Sequence, residues 1–177
     1  MGMGANYELG FAQFLLGNPN FYAKFDIPDY DYDKHVLHTC YNGPELETRL
    51  KEKNNYSYIQ SNTTVFHGGN DPFAHLAKMD DGLMDLILIE RQGRVGFLNT
   101  MLGSKNGSQW WKGRKKVIML QVSEYTIYPL ARKKGQCCIE IDGEINCDGE
   151  GNQYQDGCNV KCLQGKVKMF CPGGVGG

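Results

Sequence analysis

The feature that most constrains this fold is an uninterrupted apolar run at residues 86–89, inside the segment MDLILIE of residues 84–90. The acidic turn Asp80-Asp81-Gly82 comes directly before it, and glycine readily adopts the positive φ that a tight turn needs. A run this short, bounded by turn residues, is typical of a strand buried on both faces, although periodicity alone does not exclude a helix. We therefore predict a core strand whose four apolar residues are almost fully buried.

A second periodic segment follows this strand. Beyond Gly93, the residues Val95, Leu98 and Leu102 recur at spacings of three and four, as a short amphipathic helix requires. The sequence therefore predicts a helix at about residues 93–103.

Strand patterns dominate the rest of the chain. Aromatic and β-branched residues or alternation predict strands at 35–41, 56–66, 116–129 and 136–142, and a hairpin of residues 158–163 and 166–172 that closes at Gln164-Gly165. Residues 43–55, with Pro44 at a plausible helix start, fit either a short exposed helix or a charged loop. Many short strands with one or two short helices predict a mainly β fold, an antiparallel β-sandwich.

Size and charge narrow the class of protein. A chain of 177 residues is most simply one domain. Its 19 basic and 20 acidic residues leave a net charge of -1, so nothing at the level of the whole chain favours nucleic acid or an anionic membrane as a partner. No apolar stretch approaches the length that spans a bilayer, and no secretion signal opens the sequence. These features predict a cytoplasmic protein.

The seven cysteines are interpreted as reduced thiols. An odd number without a secretion signal argues against a disulfide framework, and no Cys-x-x-Cys pair offers the usual zinc spacing. We therefore predict buried, metal-free cysteines that act as small apolar residues. A cysteine-rich zinc adaptor is the functional class that fits this spacing worst.

Two adjacent tryptophans, Trp110 and Trp111, lie in a loop rich in lysine and arginine. Such a loop could form a membrane-surface or nucleic-acid patch. In the alternative interpretation, one indole ring packs in the core while the basic side chains solubilise the loop. We favour the second interpretation.

The order of motifs AHL…DG…DLILI…FL across residues 71–102 closely resembles the ceramide kinases of the diacylglycerol and sphingosine kinase superfamily. The resemblance covers residues 56–171, whereas residues 1–55 match poorly and residues 172–177 form a glycine-rich tail expected to be disordered. Kinases of this superfamily pair an N-terminal α/β domain, which holds a GGDG-type nucleotide loop, with a C-terminal β-sandwich that contributes to the lipid site. The chain matches the C-terminal half, and no GGDG-type loop or P-loop occurs in it.

The resemblance implies ATP-dependent phosphorylation of a primary hydroxyl on a sphingolipid, by a chain that is inactive alone. The complete enzyme would use ATP and magnesium. Its partners would be ceramide or a related lipid, the nucleotide-binding domain and, transiently, a membrane surface at which the cytoplasmic protein is peripheral; nucleic acid is not expected. The alternative is a non-catalytic lipid-binding or regulatory module.

The resemblance also implies a metal site at the acidic turn. In bacterial relatives this loop holds a structural magnesium through one aspartate side chain and neighbouring backbone carbonyls. The matching positions here are Asp81, with the carbonyls of Lys78 and Leu83. The alternative is a plain β-turn without metal.

A second implied site is the Asp-Gly-Glu near the end of the family's sheet, whose glutamate approaches the phosphate-transfer centre. The sequence holds two copies, one with Asp142 and Glu144 and one with Asp148 and Glu150. We prefer Asp148 and Glu150, because NCDGE resembles ceramide kinase more closely and leaves that family's short spacer before the final hairpin. The carboxylate would accept the lipid hydroxyl's proton or help to hold metal against the γ-phosphate. The alternative is a polar hairpin turn.

Overall fold

The structure is a computed structural model that describes residues 21–63, 66–67, 71–74, 76–78, 80–104, 109–130, 139–141, 144–146 and 157–166. Within these ranges the chain forms eleven strands and two helices. The strands are β1 Phe21–Asp26, β2 Val36–His38, β3 Asn54–Asn62, β4 Phe66–His67, β5 Asp71–Pro72, β6 Met84–Glu90, β7 Val117–Val122, β8 Glu124–Pro129, β9 Ile139–Ile141, β10 Glu144–Asn146 and β11 Cys158–Lys161. The helices are α1 Gly43–Lys51 and α2 Arg94–Ser104.

Seven of the strands form one antiparallel sheet in the order β11-β8-β1-β3-β6-β7-β2. Two small antiparallel pairs, β9–β10 and β4–β5, accompany it. The fold is therefore mainly β, antiparallel and sandwich-like with two helices, as predicted. The predicted core strand is β6, which is buried along its whole length between β3 and β7.

The sheet carries a hydrophobic core on each face. Met84, Leu86 and Leu88 of β6 belong to the first core, which also holds residues of β1, β3, β7 and α1. Ile87 and Ile89 belong to the second core, with α2 and the segments before β6 and before β7. Successive side chains of a strand point to opposite faces, so a strand with apolar neighbours on both sides needs the unbroken apolar run seen here.

Helix α1 packs against the first core and is not merely exposed. Asn42 caps it, because its side-chain oxygen accepts a hydrogen bond from the Glu45 backbone N–H at 2.9 Å. Leu46 and Leu50, four residues apart on one face, are fully buried. Of the two interpretations of residues 43–55, the helix is correct, but one side of it is core.

Described residues that precede position 56 belong to the same sheet. Strand β1 pairs with β3 on one side and with β8 on the other, and Ala23 and Phe25 of β1 are in the first core. Residue 56, where the resemblance to lipid kinases begins, is therefore not a boundary of the fold.

Helix α2 was predicted correctly in extent, but its apolar spacing does not mark the face toward the core. Phe97 and Thr100 point inward and are 2% and 3% exposed. Val95, Leu98 and Leu102 point outward. In the described part of the chain, neither helix is long and apolar enough to cross a bilayer.

The adjacent tryptophans are both core residues. Trp110 and Trp111 are buried, and the Trp110 ring stacks on Phe73 with 4.9 Å between ring centroids. The Trp110 indole N–H donates a hydrogen bond to the Phe73 carbonyl at 3.0 Å, so its polar atom is satisfied. The part of the preferred interpretation that places an indole ring in the core is confirmed, and for both rings; the role of the basic side chains stays a prediction.

The prediction of buried cysteines is wrong for Cys40. It follows the edge strand β2, where the thiol is exposed and donates to the Lys115 carbonyl at 3.1 Å. Cys158 and Cys162 are free and half-buried. The remaining cysteines (137, 138, 147 and 171) lie outside the described residues. At the predicted hairpin corner, Gln164 and Gly165 do form a turn, whereas residues 167–170 and the tail at 172–177 are also outside the described ranges.

Candidate functional site

The acidic turn ahead of β6 is tied to the turn after β11. Gly82 has a φ of +75°, the left-handed conformation that glycine accepts most easily. The Gln164 side-chain amide donates a hydrogen bond to the Asp80 carbonyl at 2.7 Å. Gln164 also lies so close to Gly82 that an added Cβ would meet its side-chain oxygen at 3.1 Å. Two chain segments that are 84 residues apart thus meet at the candidate metal turn.

The structure describes all three residues predicted to hold metal at this turn. The Asp81 carboxylate oxygen Oδ1 accepts a hydrogen bond from the Leu83 backbone N–H at 2.9 Å, which closes a local Asx-turn. Lys78 is exposed, and Asp81 and Leu83 are half-buried. No cluster of three or more His, Cys, Asp or Glu side chains suited to a metal occurs among the described residues, but a site of one carboxylate and two carbonyls is of another kind. The metal assignment stays a prediction.

A polar row crosses the sheet next to this turn. Strand register places Asn62 of β3 opposite Asp85 of β6, and Asp85 opposite Gln121 of β7. Asp85 is fully buried; its Oδ1 accepts from the Gln121 amide at 3.4 Å and its Oδ2 accepts from the Leu76 backbone N–H at 3.3 Å. The Asn62 side-chain nitrogen is buried with no hydrogen-bond partner in the described structure.

The environment of Asp85 favours its neutral form. Burial raises the pKa of the Asp85 carboxyl above its ordinary value, and hydrogen bonds from Leu76 and Gln121 only partly oppose this; the nearby Asp81 charge adds to the rise. Sequence reasoning missed this residue because it treated the surrounding segment as apolar. The signal available was a single carboxylate inside a strand predicted to be buried.

The structure describes one residue of the two candidate Asp-Gly-Glu pairs. Glu144 is the first residue of β10, and its backbone pairs with Ile141 of β9. Asp142 lies between these paired positions but outside the described residues. Asp148 and Glu150 lie outside them as well, so the catalytic assignment stays a prediction.

A second buried carboxylate, Glu90, lies at the other end of β6 and is 1% exposed. It accepts hydrogen bonds from the Tyr41 hydroxyl at 2.6 Å, from the Asn54 amide at 3.0 Å and from the Arg49 guanidinium. The Lys116 ammonium is 3.6 Å from the same carboxylate. Burial alone would raise the pKa of Glu90, but the hydrogen bonds from Arg49, Tyr41 and Asn54 outweigh it and hold that pKa below its ordinary value.

The Glu90 cluster joins α1, β3 and β6 to the start of β7. Its carboxylate is surrounded by donors and cations that satisfy it. A buried carboxylate whose hydrogen bonds and ion pairs are satisfied in this way has a structural role. The candidate site therefore lies at the Asp85 end of β6, beside the acidic turn.

Comparison with known proteins points to a fold. No protein-family model matches the sequence, and no curated protein sequence matches it. A crystal structure described as a "putative diacylglycerol kinase" from Bacillus anthracis strain Sterne is similar, with a TM-score of 0.51 and 13% identity, over 88% of this chain and 43% of that one. A diacylglycerol kinase structure from the same strain is similar with a TM-score of 0.40 and 14% identity, over 71% of this chain and 38% of that one.

This chain spans less than half the length of either structure. The first similarity shows a shared fold. Residues 56–177 make up about 69% of the chain, so a match that covers 88% of it extends into the residues before position 56. The shared fold is thus larger than the segment in which the sequence motifs were recognised.

Proposed function

We propose that this chain is the C-terminal, lipid-substrate half of a ceramide kinase-like lipid kinase. The observation that carries the proposal is the fold similarity to a protein described as a diacylglycerol kinase, which takes in most of this chain but 43% of that one. One domain of a two-domain enzyme would match the whole enzyme over about this fraction of its length. The motif order in residues 71–102 supports ceramide or a related sphingolipid as the acceptor.

The reaction is transfer of the ATP γ-phosphoryl group to a primary hydroxyl. Such transfer depends on positioning and on neutralising phosphate charge, and ATP and magnesium enter with the nucleotide-binding domain. Glu150, with Asp148 beside it, is the carboxylate that accepts the hydroxyl proton or helps to hold metal. Glu144 and Asp142 are the alternative pair, but the antiparallel pairing of β9 with β10 around them supports a hairpin interpretation for that copy.

The acidic turn is the proposed structural magnesium site. Magnesium takes oxygen donors, and the Asp81 carboxylate with the carbonyls of Lys78 and Leu83 supplies that kind of donor. Asp81 Oδ1 accepts a hydrogen bond from the Leu83 N–H, which orients the carboxylate that would hold the metal. A metal there would stiffen the turn that Gln164 already holds in place through Asp80.

The second candidate is a non-catalytic lipid-binding or regulatory module. The observation that favours it is the lack of a glycine-rich nucleotide loop in these 177 residues. Both candidates describe a cytoplasmic protein that reaches its lipid at a membrane surface, and they differ in whether a nucleotide domain works with it.

Fusion of the chain to the nucleotide domain of a close relative separates the two candidates. The chain alone should show no ATP-dependent phosphorylation of ceramide, and the fusion should show turnover. In the fusion, Glu150→Gln should remove far more activity than Glu144→Gln, because only one Asp-Gly-Glu can face the cleft. Turnover by the chain alone would contradict the two-domain proposal. Equal activity of the two variants would indicate that both Asp-Gly-Glu segments are turns without a catalytic role.

A further inference from the structure

Helix α2 presents an apolar stripe to the outside of the molecule. Val95 is 82% exposed, Leu102 is 53% exposed and Leu98 is 36% exposed. Their spacing of three and four residues places them on one side of the helix, opposite the buried Phe97 and Thr100. A single exposed leucine is ordinary, but three on one side of a helix form a contiguous surface.

The same part of the chain is strongly basic. Between Glu90 and Glu124 the sequence contains no acidic residue, whereas arginine or lysine occurs at positions 91, 94, 105, 112, 114, 115 and 116. The whole chain carries a net charge of -1, so positive charge is concentrated here. Arg94, Lys112 and Lys115 are exposed. Lys116 is partly engaged by Glu90.

The structure brings this charge to both ends of the stripe. Arg94 is the first residue of α2. At the other end, Arg114 lies against Gly103: a Cβ on that glycine would be 1.9 Å from an Arg114 guanidinium nitrogen. Within its own turn, the Arg114 Nε–H donates to the Trp110 carbonyl at 2.8 Å, which orients the guanidinium. Its closeness to Gly103 places this cation at the C-terminal turn of the helix, where it complements the helix dipole.

We propose that α2 is the surface by which this protein docks on an anionic lipid membrane. An outward apolar stripe between cations is the pattern of a helix that lies in the membrane interface, with apolar side chains among the acyl chains and basic side chains at the headgroups. Long lysine side chains such as Lys112 and Lys115 can reach the headgroup plane while the helix lies lower.

Self-association through this face is disfavoured by its charge. A two-fold dimer would bring the same basic surface of each copy together, and residues 91–123 offer no carboxylate to pair with the cations. Anionic lipid supplies the opposite charge and an apolar phase at once. This inference rests on the proposed function, because a lipid kinase must meet its acceptor at a membrane.

Vesicle co-sedimentation of the 177-residue chain tests this docking. The probe is phosphatidylcholine vesicles with or without phosphatidylglycerol, and no ceramide, diacylglycerol or nucleotide is present. Failure to dock is thereby distinguished from failure of phosphoryl transfer. We expect binding only to the vesicles that contain phosphatidylglycerol, and we expect it to weaken strongly between about 0.1 M and about 1 M salt, as screening shortens the reach of the charges.

Two variants and two matched controls locate the surface. Leu98→Ser with Leu102→Ser should lower binding about tenfold, and Lys112→Gln with Lys115→Gln should lower it about fivefold for each lysine. Leu163, which is 62% exposed at a turn after β11, supplies the apolar control as Leu163→Ser. Lys34→Gln with Lys51→Gln removes two exposed cations elsewhere. Thermal melting confirms that each variant is folded.

Three results would overturn the proposal. The wild-type chain could fail to bind either vesicle, the controls could reduce binding as much as the α2 variants do, or binding could be insensitive to phosphatidylglycerol. A dimer that dissociates on Leu98→Ser with Leu102→Ser, in a chain that ignores vesicles, would assign the stripe to a second copy instead.

Discussion

Asp85 and Glu90 are buried carboxyl groups at opposite ends of the same strand, and they are held in opposite ways. Asp85 is 0% exposed and Glu90 is 1% exposed. The pKa of Asp85 is raised by burial, whereas that of Glu90 is lowered by its hydrogen bonds in spite of burial. The comparison shows that partners, and not depth, decide the direction in which the pKa of a buried carboxyl shifts.

The two partner sets explain the difference. Arg49 and Lys116 bring positive charge to Glu90, and Tyr41 and Asn54 add donors. Asp85 has only backbone N–H groups and the Gln121 amide, and no cation among the described residues contributes to the shift of its pKa. At one end of β6, ion pairs therefore stabilise the ionised Glu90 carboxylate. At the other end, beside the acidic turn, burial destabilises the ionised form of Asp85.

The largest effect is expected from Glu90→Gln. Breaking a buried ion pair by removing one partner costs about 3–5 kcal/mol of the free energy of unfolding. We expect the lower end, because the single side-chain oxygen of glutamine can still accept from Arg49 and Asn54, which share Oε1 of Glu90. Urea unfolding at pH 7 measures it. Glu124→Gln is the control, since Glu124 pairs with Lys161 at the surface, where solvent screens the ion pair and its loss should change stability little.

This effect should depend on pH in one direction. The folded pKa of Glu90 is below its ordinary value of 4.5, so its contribution is present above that value and is lost as pH falls through the lower folded pKa. The difference between wild type and Glu90→Gln should therefore shrink in acid below about pH 4. An equal difference at pH 7 and in acid would show that Glu90 acts through packing and not through charge.

A smaller effect is expected at the acidic turn, from Gly82→Ala. The positive φ of Gly82 and the closeness of Gln164 make a side chain unfavourable, at a cost of about 1–2 kcal/mol in the melting equilibrium. Gly93→Ala, on the far side of β6, is the matched control, because nothing lies within 4 Å of an added Cβ there. Equal melting temperatures for the two variants would contradict this account of the turn.

The smallest effect, and of opposite sign, is expected from Asp85→Asn. Because the folded pKa of Asp85 is raised, the protein is penalised once pH rises through that pKa. An uncharged amide avoids the penalty, so the variant should be more stable at pH 7, by about 1 kcal/mol or less. In acid, where Asp85 is itself neutral, the gain should vanish. Destabilisation of the variant at pH 7 would mean that the second acceptor oxygen, which asparagine lacks, outweighs the penalty of burying the charge, since Gln121 and Leu76 donate to different oxygens of Asp85.

Much of the fold was predictable where a local sequence pattern determines an element. The unbroken apolar run of residues 86–89 predicted a strand buried on both faces, and the whole of β6 is buried. Helix α2 was predicted to within a residue of each end. Its orientation was not predictable from spacing, because Phe97 and the opposite stripe of Val95, Leu98 and Leu102 are all apolar, so the helix has no polar face to mark the outside.

The candidate site was less predictable, because its contacts join residues far apart in sequence. In the sequence, Glu90 is simply the polar end of a predicted strand. Only the fold places Tyr41 and Arg49, more than 40 positions away, next to it. Asp85 was hidden in a segment treated as apolar. The role of Asp81 stays a prediction, as do those of Asp148 and Glu150, which lie outside the described residues.

Strand β1 lies inside the sheet, between β3 and β8, and this position determines when its two edges can be paired during synthesis. Asp26 pairs with Thr126, 100 positions later. One edge of β1 can pair with β3 early, but the other stays open until β8 has left the ribosome. Contacts so distant in sequence slow folding, and an unpaired strand edge is a template for another chain. A nascent chain halted before β8 would thus expose this edge, which makes it the point where misassembly is expected to begin.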